Sequence, residues 1–254
     1  MKSLRRPVVY QGITYPDYEI DFYTSQIHSV RYDRVLKTHL DNGYQKLTFT
    51  INSQGQPVHP HKAMAETFYD LLPKSPLVSH YSLPTCGLRD LPRPSGGDKH
   101  TLKTPKGFTF ICNQVCPDHI DSNRSNNYYS NLMIVTQFEN VMKCGPRCRG
   151  SRGAKPRKTP TRFGKSSQYK GVRKTPTRSG ACEVRITFPS IIDKNGKCFH
   201  TCKTFKTEEE AALGYNKKLE EALLTIWGPD LGPKMYDFAY KNVIKTPVQQ
   251  ELIL

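Results

Sequence analysis

The sequence lacks any long hydrophobic run. None of its apolar stretches approaches the roughly 18–20 residues that a membrane-spanning helix needs, and this excludes a protein built from such helices. The N-terminal MKSLRRPVVYQG also lacks the apolar segment of a signal peptide. We therefore expect an intracellular protein with no membrane partner.

Acidic residues are scarce relative to basic ones. The 254 residues include 22 Asp and Glu against 38 Lys and Arg, which gives a formal net charge of +16. Such an excess favours a polyanionic partner, either nucleic acid or an anionic membrane surface. Of the two we expect nucleic acid.

Cysteine is present, but in a pattern that argues against a disulfide framework. The chain has eight cysteines, and a reducing compartment keeps thiols free or bound to metal. Two close pairs, Cys112 with Cys116 and Cys144 with Cys148, flank one predicted unit. If they fold together they make a four-thiolate zinc site. The alternative is cysteines that act as small buried apolar residues, and the sequence leaves both open.

Turn residues and apolar runs divide the chain into small modules of α+β class. The length allows two or three folded units, with local boundaries set by Gly, Pro and charge. The predicted segments are a β-rich module ending in a helix (1–72), a loop-rich insertion (73–106), a two-strand and helix core (107–144), a basic flexible linker (145–166), a three-stranded antiparallel sheet packed on one helix (167–228) and a tail (229–254).

The segment 107–144 has the clearest local signals. We predict a strand that ends at Asp118 and His119, a polar loop over 121–131, a return strand through LMIV, and a helix that starts at Thr136. The sequence T-Q-F-E places Glu139 three residues after Thr136, which is the spacing of a capping box.

This segment also holds the groups that phosphodiester hydrolysis requires. Asp118 and Asn140 offer hard oxygen ligands for Mg²⁺, and His119 titrates near neutrality and can act as a general base. A cation held by two protein oxygens keeps positions open for phosphate and water. Since neighbouring side chains on a strand point to opposite faces, Asp118 and His119 share one site only if the strand ends or bends there.

The run DHIDSNRSNNYYSNLMIVTQFEN resembles the ββα-metal motif of HNH homing endonucleases. The resemblance implies that His119 is the general base, that Asn131 braces the loop, and that Asp118 and Asn140 bind Mg²⁺ or Mn²⁺. Upstream, YPDYEIDFYTSQIHSV resembles the NUMOD4-like module that often precedes this motif, and HKAMAETF resembles a family helix. The insertion at 73–106 departs from the family pattern.

The segment 167–228 resembles an AP2 domain. The runs that carry the resemblance are YKGVRK, CEVRITF and KTFKTEEEAALGYNKKLEEALL. It implies contacts to duplex DNA from Lys170, Arg173, Glu183 and Arg185 on the strands, although the tryptophan that the family has before E-I-R is missing here. The alternative is a solvated basic face on a half-exposed sheet.

The modules together predict a site-specific DNA endonuclease that uses Mg²⁺ or Mn²⁺. One catalytic cation site per chain favours a nick by a monomer, unless two chains combine. A different class of protein, a non-catalytic DNA-binding regulator that uses the AP2-like unit, is the alternative. A third hypothesis, a zinc-dependent RNA-binding protein, accounts for the charge and cysteines but leaves the D-H to E-N pattern unexplained.

Overall fold

The computed structural model describes residues 3–83, 100–112, 115–145, 167–174 and 181–244. Up to residue 83 its elements are β1 (Arg5–Tyr10), β2 (Ile13–Asp21), β3 (Ile27–Ser29), β4 (Arg34–Val35), β5 (His39–Asp41), β6 (Tyr44–Ile51), β7 (Gln54–Val58), α1 (Pro60–Thr67) and α2 (Pro76–His80). From residue 100 they are β8 (His100–Lys103), β9 (Thr109–Cys112), β10 (Val115–His119), a 3-10 helix (Tyr129–Asn131), β11 (Leu132–Thr136), α3 (Gln137–Lys143), β12 (Val172–Lys174), β13 (Cys182–Ile192), β14 (Cys198–Phe205) and α4 (Glu208–Phe238).

The chain folds as two units. The N-terminal unit comprises Met1–His100 and Cys112–Asn140, and the C-terminal unit comprises Thr101–Ile111 and Val141–Leu254. Most of the predicted basic linker, residues 146–166, lies outside the described residues, as do the end of the tail and the middle of the predicted insertion. No helix in the described ranges is both long and apolar enough to cross a bilayer.

Two antiparallel sheets open the N-terminal unit. Strands β1 to β4 pair in sequence order, and so do β5 to β7. At Asn42–Gly43 both residues have positive φ (52° and 82°), the conformation of a two-residue hairpin turn that Asn-Gly favours. The sequence DNG predicts a turn here, and the structure confirms it. The inward side chains of Ile20, Leu47 and Phe49 are buried and form the core of these sheets.

Helix α1 starts earlier and ends earlier than the sequence predicts. The apolar spacing predicts a helix over 62–72, whereas the structure has it over Pro60–Thr67. Pro60 fits the first turn, where its missing N–H has no intrahelical partner to lose, and Phe68 leaves helical geometry (φ −118°, ψ 33°). Ala63 and Met64 are fully buried, so one face of α1 lies in the core.

Strands β10 and β11 and helix α3 form the predicted ββα unit. The two strands are antiparallel, with His119 opposite Leu132, and the 3-10 helix lies at the end of the loop that joins them. Directly before α3, the Thr136 hydroxyl accepts a hydrogen bond from Glu139 N (3.2 Å), and Glu139 Oε2 accepts one from Thr136 N (3.0 Å). This reciprocal pair confirms the predicted capping box.

The start of the predicted insertion is ordered against this unit. Ser75 N donates to Ile134 O (2.9 Å), and Ile134 N donates to Pro73 O (2.8 Å), so the chain here runs along β11. Helix α2 follows directly. The prediction of little regular structure over 73–106 is therefore wrong for residues 73–83 and for β8.

Glu139 explains why α2 forms there. Its carboxylate accepts hydrogen bonds from Leu77 N (2.8 Å) and from the Ser75 hydroxyl at the start of α2, while it also caps α3. The residue is 0% exposed, and burial raises the pKa of its carboxyl above the ordinary value. One buried side chain thus satisfies backbone donors at two helix starts.

The C-terminal unit contains a larger sheet than predicted. Its order is β12, β13, β9, β8, and β14 also pairs with β13. The sequence assigned the strand Thr109–Cys112 to the nuclease core, but Phe110 pairs with Ile191 of β13 and packs against the Trp227 ring at 5.4 Å. Residues 107–111 therefore belong to the C-terminal unit and not to the predicted nuclease core that begins at residue 107. The sequence does not reveal this, because the strand that pairs with β9 lies about 80 residues further along the chain.

Helix α4 covers this sheet and extends into the predicted tail. The sequence T-E-E-E predicts a capping box between Thr207 and Glu210, which the structure confirms. The helical spacing of Ala211, Tyr215 and Leu219 predicts an apolar stripe, and all three are buried. Gly228 interrupts the helix with φ 76° and ψ −176°. The chain then continues helically to Phe238, which the sequence, with its Pro and Gly residues, did not predict.

Candidate active site

The loop between β10 and β11 is closed by the side chain of Asn131. Its Nδ2 donates to Asp121 Oδ1 (2.9 Å) and to Asn126 O (2.8 Å), and its Oδ1 accepts from Asp121 N (3.0 Å). Asn131 is 7% exposed. A buried amide with partners at both ends holds a loop far more firmly than a solvent-facing one, so the loop that follows His119 has a defined shape.

His119 is buried and held by a chain of side chains. Its Nε2 lies 3.0 Å from Asn127 Oδ1, and Asn127 Nδ2 donates to Gln45 Oε1 of β6 (3.1 Å). The Asn127 carbonyl also accepts a hydrogen bond from the Ser25 hydroxyl. Because an amide oxygen only accepts, this orientation puts the proton of a neutral His119 on Nε2 and its lone pair on Nδ1.

Asn140 approaches β10 at Cys116. Asn140 Nδ2 contacts Cys116 Sγ at 3.8 Å, which turns the amide oxygen away from the sulfur. Asp118 lies two residues further along the strand, on the face that Cys116 also occupies. Burial raises the pKa of the Cys116 thiol, and the Asp118 carboxylate adds to this rise. The two predicted metal ligands, Asp118 and Asn140, therefore lie on the same face of β10, next to Cys116.

A cavity of about 430 Å³ lies beside these residues in the N-terminal unit. Asp118 and His119 are not among its lining residues, although neighbours of both are. Its walls are formed by Asp41, Asn42, Tyr44, His59, His61, Lys62, Cys116, Pro117 and Asn140. The cavity thus joins the start of α1 to the β10 and α3 side of the candidate site.

The sequence did not single out the histidines of this cavity. The ring of His61 lies 5.2 Å from that of His119 and stacks on Tyr44 at 5.0 Å, and the ring of His59 lies 5.6 Å from His61. The signal that could have found them is the pair of histidines on either side of Pro60, of which His61 is the first residue of HKAMAETF. Their role depends on tertiary contacts that spacing alone does not reveal.

The surroundings of both histidines favour the uncharged imidazole. Burial, followed by the charges of His119, His59 and Lys62, lowers the pKa of His61 to about 3. Burial also lowers the pKa of His59, with Lys62 as the next cause. The Nδ1 atoms of His59 and His61 are buried and make no hydrogen bond. A buried nitrogen without a hydrogen-bond partner usually lowers the free energy of unfolding, so these two imidazoles are not explained by stability alone.

The predicted zinc site falls partly outside the described residues, because its fourth ligand, Cys148, is not among them. Within the described part of the chain, no group of three or more His, Cys, Asp or Glu side chains is arranged to hold a metal ion. Cys112 is buried, as the alternative predicts, but Cys144 is exposed.

The residues predicted to contact DNA divide into two groups. Arg173, Glu183 and Arg185 share the outer face of the sheet: Arg173 lies opposite Glu183, and Arg185 Nε lies 3.9 Å from Glu183 Oε1. The ammonium of Lys170 instead donates to the carbonyls of Val141, Met142 and Cys144 (3.1, 2.6 and 2.6 Å). The Lys170 ammonium is therefore bound at the C-terminal end of α3, and its charge does not lie on the strand face with Arg173 and Arg185.

Comparison with known proteins gives one partial match. No protein-family model and no curated protein matches the sequence. The solved structure described as "DNA binding and cleavage by the HNH homing endonuclease I-HmuI" is similar with a TM-score of 0.32 and 19% identity, over 54% of this chain and 55% of that one. The match spans about half of that chain and gives no support to the NUMOD4-like or AP2-like modules, which stay predictions.

Proposed function

We propose that this chain is an HNH-type DNA endonuclease that hydrolyses a phosphodiester bond. The observation that carries the proposal is the ββα unit, in which Asn131 clamps the loop and Asn127 holds His119 at its edge. A loop that serves only as a turn needs neither a buried asparagine nor a buried histidine. Asp118 and Asn140 complete the set of groups that the reaction requires.

Asp118 and Asn140 are the residues that would hold a divalent cation. A carboxylate and an amide oxygen are hard donors suited to Mg²⁺ or Mn²⁺, and the contact of Asn140 Nδ2 with Cys116 leaves the oxygen end of the amide directed away from the sulfur. When bound, the cation would stabilise negative charge on the phosphate and on the leaving oxygen.

His119 takes the proton from the attacking water. The hydrogen bond to Asn127 assigns the Nε2 proton, so the basic lone pair of the neutral ring is on Nδ1. Burial and the contacts with His61 and Tyr44 restrict the ring, so the base needs little reorganisation before proton transfer. Asn127 and Asn131 are positioning residues in this scheme.

The C-terminal unit delivers the nuclease to duplex DNA. We assign Arg173 and Arg185, on the outer face of the AP2-like sheet, to base or phosphate contacts, with Glu183 orienting Arg185 at 3.9 Å. Lys170 is left out of this set because three carbonyls hold its ammonium. With one catalytic centre per chain, a monomer makes a nick.

Cleavage of a plasmid library tests the proposal. Supercoiled plasmids with random inserts are incubated with the full chain and Mg²⁺ or Mn²⁺, and the new strand ends are sequenced. We expect nicks enriched at one sequence, abolished by a chelator and by His119→Ala, but kept by the exposed control His80→Ala. Nicks that persist in His119→Ala would refute the role of His119.

A parallel binding measurement separates the enzyme from the regulator. Fluorescence anisotropy with duplex DNA in a chelator reports binding without cleavage. Binding combined with no metal-dependent strand end at any sequence would favour the non-catalytic regulator. Weaker binding after Arg185→Ala, with cleavage chemistry retained at high protein concentration, is the result expected of a separate reader.

A further inference from the structure

The cavity at the start of α1 has the features of an anion site. Its residues His59, His61 and Lys62 form the N-cap and first turn of α1, whose N-terminus carries a partial positive charge. The first turn contains no acidic residue, and the N-cap side chain makes no capping hydrogen bond. The first turn of α1 therefore contains no negative charge that could offset the partial positive charge of the helix N-terminus.

His61 gives the second, independent observation. It is 5% exposed, lines the cavity and has a buried Nδ1 with no hydrogen-bond partner. A phenylalanine would stack equally well on Tyr44 without this unpaired nitrogen, so packing alone does not account for an imidazole here. A ligand that accepts a hydrogen bond would satisfy it.

The remaining charges around the cavity are compatible with an anion. The carboxylate of Asp41 also lines it, but Lys46 Nζ lies 3.2 Å from Asp41 Oδ2 and offsets that charge. The Arg124 guanidinium lies 4.9 Å from the centre of the ring of Tyr44, which lines the cavity, but Arg124 itself is not a lining residue. Among the lining residues, the exposed Lys62 carries a positive charge and Asp41 is the one carboxylate, while the Asp118 carboxylate lies near Cys116 but does not line the cavity.

We propose that the cavity at the N-terminus of α1 binds a phosphate group of the DNA strand, with Lys62 and the imidazoles of His59 and His61 as its ligands. Because Asn140 lines the same cavity, this phosphate lies next to the proposed cleavage centre. The inference rests on the proposed function for the identity of the strand, but the phosphate site itself does not require cleavage. Lys62 supplies charge, and the neutral imidazoles supply N–H donors.

The first experiment probes the site with inorganic phosphate alone. The full chain is labelled with ¹⁵N-histidine, and its imidazole resonances are followed in the absence of divalent metal and DNA. We expect saturable shifts at His59 and His61 and none at the exposed His80. The shifts should weaken in Lys62→Gln and persist in Lys234→Gln, an exposed lysine of α4. If added phosphate does not shift the imidazole resonances of His59 and His61, the proposal is wrong.

The second experiment asks whether the phosphate belongs to DNA. In a chelator, Lys62→Gln should lower the slope of log affinity against log salt by about 0.9, the value for one lost phosphate contact, while Lys234→Gln leaves it unchanged. His61→Phe should weaken binding about two- to tenfold, the effect of one hydrogen bond, and His61→Gln, which keeps an N–H donor, should restore part of it.

The two experiments fail in different ways. If the histidines respond to phosphate but DNA affinity and salt slope are the same in Lys62→Gln, the assignment to the DNA strand is wrong. If the histidines respond and the wild-type chain binds no DNA, the anion site stands and the nuclease proposal falls. Equal weakening by His61→Phe and His61→Gln, with native thermal stability in both, would remove His61 from the ligand set.

Discussion

Replacing Glu139 with alanine removes a buried carboxylate on which two backbone amides depend. The amides of Leu77 (2.8 Å) and Thr136 (3.0 Å) both donate to it, and Glu139 is 0% exposed. A buried donor without a partner costs about 1–3 kcal/mol, so the two should lower the local free energy of unfolding by about 2–6 kcal/mol. The hydroxyls of Ser75 and Thr136 can turn to other acceptors and add little. Such a loss approaches the whole stability of many domains.

Hydrogen exchange at the Leu77 and Thr136 amides measures this loss directly. It reports local opening in the full chain and needs no two-state transition of both units together. We expect Glu139→Ala to speed exchange at both amides roughly thirtyfold or more, and Glu139→Gln, which keeps an acceptor oxygen, to have a smaller effect. The control Glu209→Ala changes an exposed residue in the first turn of α4. Unchanged exchange at Leu77 in Glu139→Ala would refute the reasoning.

Three further predictions concern stability and the site. A Cβ on Gly171 (φ +72°) would meet the Tyr215 ring at 2.1 Å, whereas one on Gly196 (φ +76°) meets nothing within 4 Å. In urea denaturation Gly171→Ala should therefore cost about 2–5 kcal/mol and Gly196→Ala only about 1–2, and equal costs would contradict the packing. Burial opposes ionisation of Asp21, but hydrogen bonds from neighbouring residues outweigh it and lower the pKa of the carboxyl. Its contribution is present above the unfolded pKa of about 3.9 and is lost as pH falls through the lower folded value, so Asp21→Asn should flatten the acid side of the stability curve; a curve with the wild-type slope would oppose this. Asn131→Ala removes three loop hydrogen bonds and should reduce nicking more than DNA binding, whereas equal losses would assign Asn131 to binding.

Features that depend on local chemistry could be predicted from the sequence. The capping boxes at Thr136 and Thr207 need only a hydroxyl and a carboxylate three residues apart, and both form. The Asn42–Gly43 turn follows from the ease with which these residues adopt positive φ. The strand, loop, strand and helix order around His119 was predictable for the same reason, since each boundary has its own local signal.

Features that depend on distant partners could not be predicted. Phe110 belongs to a run that any sheet could use, and only its pairing with Ile191 assigns it to the C-terminal unit. Residues 73–83 look like a loop because the acceptor that orders them, Glu139, is remote in sequence. Beyond Gly228 the prolines looked like helix breakers, yet Pro229 occupies a first-turn position where proline is tolerated.

The position of His119 connects the N-terminal sheets to the proposed chemistry. Asn127 bonds His119 through one end of its amide and Gln45 of β6 through the other, while its carbonyl accepts the Ser25 hydroxyl from the turn between β2 and β3. Tyr44, also on β6, stacks on His61, which in turn lies against His119. The orientation of the proposed base is therefore set by residues of the β-rich module as well as by its own hairpin. Because Gln45 and Ser25 of this module hold Asn127, the hydrogen-bond partner of the proposed base, we expect the ββα motif and the residues before it to act as one functional unit.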